Sequence, residues 1–324
     1  MKLLAIAVAA LIAFPTVALA QARPKIVVFT KNVTNPFWKA VRVGADKAGK
    51  ALGADIEHAA PTKPDNIEEQ TRLVEDWIVR KPAAMVFVPV DYKALVPSIQ
   101  KVNQAGIPIV IFSNRMTEVD FVTYVGSDDE TIGYEITKYL ARTMGNKGKI
   151  IHIDGVPAAI TAQNRKKGLE RALKELPNVE LLASQPGNYR RLPAVQVFEN
   201  LMQRFPVIDG VVCANDDMAV GVAEALAGAG RGGKTKVVGI DAIPDGIAAI
   251  MAGKMQATAD YSGHDQGFLA TSAAIRHLRG EKLPKEIALP VVIVEKANAQ
   301  PWTVPVEEKP MPDWNKVLQS QKKL

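Results

Sequence analysis

A single cysteine, Cys213, stands in 324 residues, so no intramolecular disulfide can form. Its place in the apolar run IDGVVCAND reads as a small buried hydrophobe rather than a reactive thiol. Histidine is scarce as well. His58, His152, His264 and His277 show neither HxxxH nor HExxH spacing, which disfavours the common zinc sites. His152, inside the strand-like run GKIIHIDG, reads as a satisfied core residue, whereas His264 falls close to a candidate site strand. There is no G-x-x-x-x-G-K-[ST] phosphate loop and no G-x-S-x-G nucleophile elbow. GAGRGG, Gly228 to Gly233, matches G-x-G-x-x-G only in letters: it follows a helical run and precedes a strand, the reverse of a dinucleotide loop, and reads as a helix stop. No block of like charge is present either. The formal net charge is +6, and Lys and Arg are interleaved with acids in RLVEDWIVRK and RKKGLERALKE, which describes solvated helix faces rather than a nucleic-acid track. Enzymatic chemistry, a metal, a cofactor and a nucleic-acid partner are all expected to be absent.

The chain opens with Met1-Lys2, an apolar run from Leu3 to Phe14, and Ala18-Leu19-Ala20 before Gln21. That run is well short of the ~20 residues a spanning helix needs. A charged start, a short apolar segment and an A-x-A site together read as a secretory signal peptide over 1–20. No cysteine follows the cleavage site, so no lipid anchor is expected, and the mature chain, at +5 once Lys2 is lost, is placed in the periplasm. About 300 residues remain, between one large domain and two of ordinary size. With 48% hydrophobic residues there is ample material for a core.

Short β-branched runs then alternate with helix-length amphipathic ones. KIVVFT, ADIEHA, AAMVFVP, IPIVIFS and FVTYVG read as strands, and the pattern starts over with GKIIHIDG, NVELLASQ, IDGVVCAND, KTKVVGID and KMQATADY. Strands alternating with helices imply parallel sheets covered on both faces, and two successive sets imply two such sheets. The fold class is α/β, two doubly wound parallel-sheet lobes. The segment from Ala297 to Leu324, rich in Pro and Lys, reads as a surface extension anchored by Trp302 and Trp314.

Ligands of open α/β sheets bind outside the carboxyl ends of the strands, which draws attention to TNPFWKAVRVG after the first strand. Asn35-Pro36 fits a helix N-cap with proline at the first helical position. The expected buried stripe is Phe37, Ala40, Val41, Gly44, Ala48 and Leu52, which leaves the Trp38 ring off the core face and available to stack on a flat, partly apolar ligand. The alternative is that both rings plug the top of the core. Other strand ends carry Asn114-Arg115, Asn215-Asp216-Asp217 and Asp241. Amides, carboxylates and a guanidinium fork suit a neutral, hydroxyl-rich ligand, although Asn215 and Asp216 equally suit the capping of a helix from Met218.

The ordered series TNPFW, AGIPIVIFSNR, GSDDETIGY, QNRKKGL, ASQPGNYRR, CANDDMAVG, VVGIDAIPDG and QATADY followed by DQG resembles the periplasmic sugar-binding proteins of the ribose-binding type, the soluble receptors of ABC importers, over roughly Lys25 to Glu295. The resemblance implies a monomer of two lobes, 24–126 with 262–290 and 127–261 with 291–297, joined by three crossing strands near Gly126, Tyr261 and Pro290 and followed by the extension 298–324. It implies capture of a sugar or polyol and hand-over to the transmembrane subunits of an ABC permease. A receptor feeding a chemoreceptor or sensor kinase is the alternative. The ligand-sensing domain of a transcription repressor shares this fold but carries a DNA-binding helix-turn-helix where this chain has an export signal. By the same similarity Asn35, Phe37, Trp38, Arg115, Tyr189, Asn215, Asp241 and Tyr261 face the sugar, with Asp260 or Ser262 as alternatives to Tyr261. Two departures are Asn114, where the family has an Asp, and Gln163, where it has an Arg; both join the candidate set.

Overall fold

The computed structural model describes residues 22–321, so the expected signal peptide lies outside the described residues. The chain runs β1 (Lys25–Phe29), α1 (Pro36–Leu52), β2 (Asp55–Ala59), α2 (Ile67–Arg80), β3 (Ala84–Phe87), α3 (Val96–Gln104), β4 (Ile109–Phe112) and β5 (Tyr124–Gly126). It continues with α4 (Asp129–Thr143), β6 (Gly148–Asp154), α5 (Ile160–Lys174), β7 (Val179–Pro186), α6 (Arg191–Arg204), β8 (Gly210–Cys213), α7 (Asp216–Gly228), β9 (Lys236–Ile240), α8 (Pro244–Met251) and β10 (Ala257–Asp260). It ends with α9 (Gly263–Leu278), β11 (Glu286–Ala288), β12 (Val292–Glu295), two 3₁₀ turns at Gln300–Thr303 and Val306–Glu308, and α10 (Trp314–Gln321).

Two six-stranded sheets result, ordered β11-β5-β4-β3-β1-β2 and β12-β10-β9-β8-β6-β7. Every pairing is parallel except β10 with β12. The central strands AMVF, IVIF and GVVC are buried along their whole length, as strands covered by helices on both faces must be. The chain passes between the sheets after β5, after β10 and between β11 and β12, so three adjacent segments form the junction. Two of the strands in these sheets, β11 and β12, are short and flank Pro290, the third crossing point read from the sequence.

Both sheets present the carboxyl ends of their strands to a shared cleft. Helix starts therefore gather at its rim, and several are built as the sequence suggested. Asn35 caps α1 with Pro36 at its first position, its side chain accepting from the Phe37 N–H at 2.9 Å. Asn215 caps α7, its Oδ1 accepting from the Met218 N–H at 3.0 Å. At the far end of α7, Gly228 closes the helix and Gly230 takes φ +67°, a helix stop. Cys213 is fully buried, and His152 is buried with Nδ1 2.9 Å from Ser184 Oγ. Burial, and to a lesser degree the Lys166 charge, holds His152 down to a pKa of about 3, so it is neutral in the core.

Candidate functional site

The first sheet supplies one wall of the cleft through the loops after β1, β2 and β4. The helix α1 buries Phe37, Trp38, Val41, Gly44, Ala45, Ala48 and Gly49. The expected stripe is thus rotated by part of a residue: Ala40 and Leu52 are half-buried, and Trp38 is only 7% exposed rather than off the core face. The physical reason is that Phe37 and Trp38, about 100° apart on the helix, straddle the buried meridian, so both first-turn rings turn inward. They meet edge to face at 4.9 Å, and Trp38 meets Phe112 of β4 edge to face at 6.4 Å. Of the two alternatives held open for Trp38, the structure realises packing in the core, and the buried ring also lines the cleft.

Tyr261, at the second crossing, lies stacked on Phe37 with ring centroids 4.9 Å apart and planes 25° apart. Its hydroxyl donates to Asp241 Oδ1 at 3.0 Å. Asp241 follows β9 and is buried, as is Asn215 after β8. Asn215 donates from Nδ2 to the Tyr189 carbonyl at 3.2 Å while its Oδ1 caps α7. Tyr189, after β7, brings its hydroxyl within 3.0 Å of Thr161 Oγ1 at the start of α5. Across the cleft, Asn114 is buried and donates from Nδ2 to the Pro89 carbonyl at 3.0 Å. Asn35, Phe37, Trp38, Asn114, Tyr189, Asn215, Asp241 and Tyr261 therefore line one cleft, joined by Lys31, Asn32, Asp65, Ser113, Thr161 and Arg165.

Two expected members lie elsewhere. Arg115 is exposed, paired with Glu286 at 2.6 Å and lying 4.0 Å over the Tyr124 ring. The reason is local: Ser113 takes φ +56° at the end of β4, and Asn114 rather than its neighbour ends up in the cleft. Gln163 donates from Nε2 to the Pro157 carbonyl at 2.9 Å and is half-buried outside the cleft. The cation expected from Arg115 is supplied to the cleft by Arg165 instead. It shares the buried stripe Thr161, Ala162, Arg165, Gly168, Leu169 and Ala172 of α5, and an arginine on an apolar stripe is the signal that could have found it. Lys31, in the polar loop after the first strand, carried no such signal and is also buried.

Arg165 donates from Nε to Asp129 Oδ1 at 2.9 Å and from Nη1 to the Ala214 carbonyl at 2.8 Å, and its guanidinium lies 4.9 Å from the Tyr261 ring centre. The pair exists because α4 and α5 touch backbone to backbone. A Cβ on Gly133 would lie 2.0 Å from the Arg165 carbonyl oxygen, and one on Gly168 would lie 2.0 Å from that of Glu130, so glycine is required at both crossings. Burial pushes the Asp129 carboxyl up to about 6 against the pull of Arg165. It pushes Asp241 up to about 7, again against Arg165 and the Tyr261 hydrogen bond. Burial works against the Arg165 charge too, but Tyr261, Asp129, Tyr189 and Asp241 around it outweigh that. Lys31 pairs with Asp65 at 3.2 Å. Each cation of the cleft thus already has its own carboxylate.

Backbone strain concentrates at the same place. Asp65, Ser113, Tyr189 and Asp241 line the cleft with φ of 56°, 56°, 57° and 120°. Each such residue costs about 1–3 kcal/mol and persists where a site requires its geometry. The lining combines ring faces, amides, hydroxyls and neutralised charges, a set that hydrogen-bonds hydroxyl groups and stacks on the C–H face of a ring. Among the described residues no group of His, Cys, Asp and Glu could hold a metal ion. The free space between these side chains is about 30 Å³. A larger cavity of about 600 Å³ lies on the other side of Phe37 and Asp241, mostly apolar and roofed by Trp302 to Lys309. It contains neither the strand-end amides nor Arg165, so the polar chemistry belongs to the cleft. His264 lines this second cavity rather than the cleft, and of the two alternatives to Tyr261, Asp260 and Ser262, both do the same.

Residues 26–282 match the family model of the periplasmic binding protein domain. The ribose import binding protein of Escherichia coli K12 is 30% identical over 297 residues, which cover 91% of this chain and 99% of that protein. A xylitol-binding protein of Mycolicibacterium smegmatis is 30% identical over 256 residues, 79% of this chain and 72% of that one. Among solved structures, a periplasmic solute-binding protein of an ABC transporter from Actinobacillus succinogenes, with bound D-allose, superposes with a TM-score of 0.82 at 32% identity, covering 86% of this chain and 99% of that chain. The chain belongs to the periplasmic binding protein family. It is a binding protein rather than an enzyme, and no helix among its described residues is long and apolar enough to cross a membrane.

Proposed function

We propose that this protein captures a neutral sugar or polyol between its lobes in the periplasm and delivers it to the permease of an ABC importer. The observation that carries the reading is the composition of the cleft. Strand ends of both sheets contribute Asn114, Asn215, Asp241 and Tyr189 around the stacked pair Phe37 and Tyr261. Its cations are already matched by Asp65 and Asp129. An anionic ligand would have to displace one of these carboxylates, whereas a polyhydroxylated neutral one needs only to exchange hydrogen bonds with water for hydrogen bonds with the lining. The relatives that bind ribose, xylitol and D-allose support the same class.

The remaining space of about 30 Å³ is that of roughly one water, too small for any sugar ring. Entry therefore requires the lobes to part about the three crossings, and contacts from both lobes form only once they return, so the ligand favours the closed state by its differential affinity. Delivery is tested by uptake of labelled pentoses, hexoses and polyols in cells with and without this gene. Loss of uptake of at least one of them is expected. Undiminished uptake of all of them, with a lost chemotactic or transcriptional response, would replace the transport reading by one of sensing.

A further inference from the structure

Beyond the three crossings, the chain passes between the lobes a fourth time, through its C-terminal segment. After β12 the turn Gln300–Thr303 packs on α8 of the second lobe, and Trp302 donates from Nε1 to the buried Asp260 Oδ2 at 2.7 Å. Five residues after Trp302, Glu307 pairs with Lys39 of α1 at 2.7 Å, and Lys47, also on α1, donates to the Lys309 carbonyl at 2.6 Å. The segment then stays on the first lobe. Trp314 is buried there under the Arg276 guanidinium, and the Gln321 side chain exchanges two hydrogen bonds with the Ala288 backbone, completing the edge of β11.

The bridging residues have little slack. Val304 and Pro305 have φ/ψ of −69°/132° and −51°/142°, close to polyproline II. That conformation already rises about 3.1 Å per residue against a limit of about 3.3–3.6 Å. They roof the 600 Å³ cavity instead of lying on a core, so they are held by their ends. Helix α1 belongs to the first lobe and α8 to the second, and both line the cavity beneath this segment. From this geometry we infer that the C-terminal segment is a fixed-length stay limiting how far the lobes open, latched on the second lobe by Trp302 and Asp260. To open further, the chain must unwind a 3₁₀ turn or pull Trp302 from its seat. The inference rests on the two-lobe motion proposed above but not on the identity of any ligand.

The test is made without ligand, so that it can fail independently of the binding reading. Spin labels are placed at Lys93→Cys and Arg190→Cys, exposed positions on loops of opposite lobes, with the fully buried Cys213 left unlabelled. Their distance distribution is measured by pulsed electron resonance in the full chain, in a variant with Gly-Ser-Gly-Ser inserted between Val304 and Pro305, and in Trp302→Phe. The insertion adds up to ~13 Å of reach with every anchor intact. It is expected to shift the distribution to longer distances by several ångströms, and Trp302→Phe, which keeps the ring but loses the hydrogen bond, to widen it. Superimposable distributions in all three proteins would overturn the inference, as would an equal shift produced by inserting the same four residues at Gly232, a turn remote from the strap.

Discussion

Arg165 and Asp129 form an ion pair at 2.9 Å with side chains only 4% and 9% exposed, on helices that touch through Gly133 and Gly168. Breaking a buried pair strands the surviving charge and costs about 3–5 kcal/mol. Arg165→Ala and Asp129→Asn are each expected to lower the unfolding free energy in urea by that order. The double variant Arg165→Met, Asp129→Leu should recover much of the stability, because apolar replacements of a buried pair are tolerated, but not ligand binding, because Arg165 lines the cleft. Single variants that unfold like the wild type would show that the pair is not buried as described.

Gly168→Ala addresses the same contact from the backbone side. In an exposed helix, glycine to alanine is favourable by up to about 1 kcal/mol. Here the added methyl would meet the Glu130 carbonyl oxygen 2.0 Å away, and overpacking of that kind costs about 1–3 kcal/mol. A lowered melting temperature is expected; a raised one would mean the helices stand further apart.

Trp38 joins core and cleft, so Trp38→Ala should cost about 3–5 kcal/mol in the unliganded protein as well as weakening ligand binding. An unliganded melting temperature equal to the wild type would restore the expectation that the ring stands free of the core. Arg115→Ala separates the two arginines. Its exposed pair with Glu286 contributes less than about 1 kcal/mol, and ligand affinity is expected to stay within about threefold, under 0.7 kcal/mol. A tenfold loss would return Arg115 to the site.

The carboxyls of the cleft give a pH signature. Asp241 rises from an ordinary 3.8 to about 7 and Asp129 to about 6, in both cases chiefly through burial. The folded protein thus holds these protons more tightly than the unfolded chain, so their contribution to stability is complete below about pH 4 and is lost as pH rises through 6 to 7. Asp241→Asn keeps an acceptor for the Tyr261 hydroxyl and removes one titration. The decline of its unliganded melting temperature between pH 4 and 7 should be shallower than that of the wild type; parallel curves would contradict the assignment.

The repeating strand and helix pattern was legible because apolar runs and their turns are local properties, and the Asn35 and Asn215 caps were legible for the same reason. Which face of α1 turns inward was not, since an apolar stripe is broad and a rotation of half a residue moves Trp38 across its edge. Of the pair Asn114 and Arg115, position in sequence misled only at Arg115: beside a left-handed Ser113, Asn114 enters the cleft as expected and Arg115 does not. Arg165 was readable only by asking why a cation occupies an apolar stripe, and Lys31, in a polar loop, carried no signal of its burial. Asp65 carried no such signal, because it reaches Lys31 through a loop fold that nothing local specifies.

The central claim is that this cleft closes on a neutral polyhydroxylated molecule. Isothermal calorimetry of the protein against D-ribose, D-allose, other pentoses and hexoses, and xylitol tests it most directly. At least one is expected to bind at one site per chain with micromolar or tighter affinity, about −8 kcal/mol, and Asn215→Ala is expected to weaken it at least tenfold. No heat from any sugar or polyol, together with tight binding of an anion, would contradict the account.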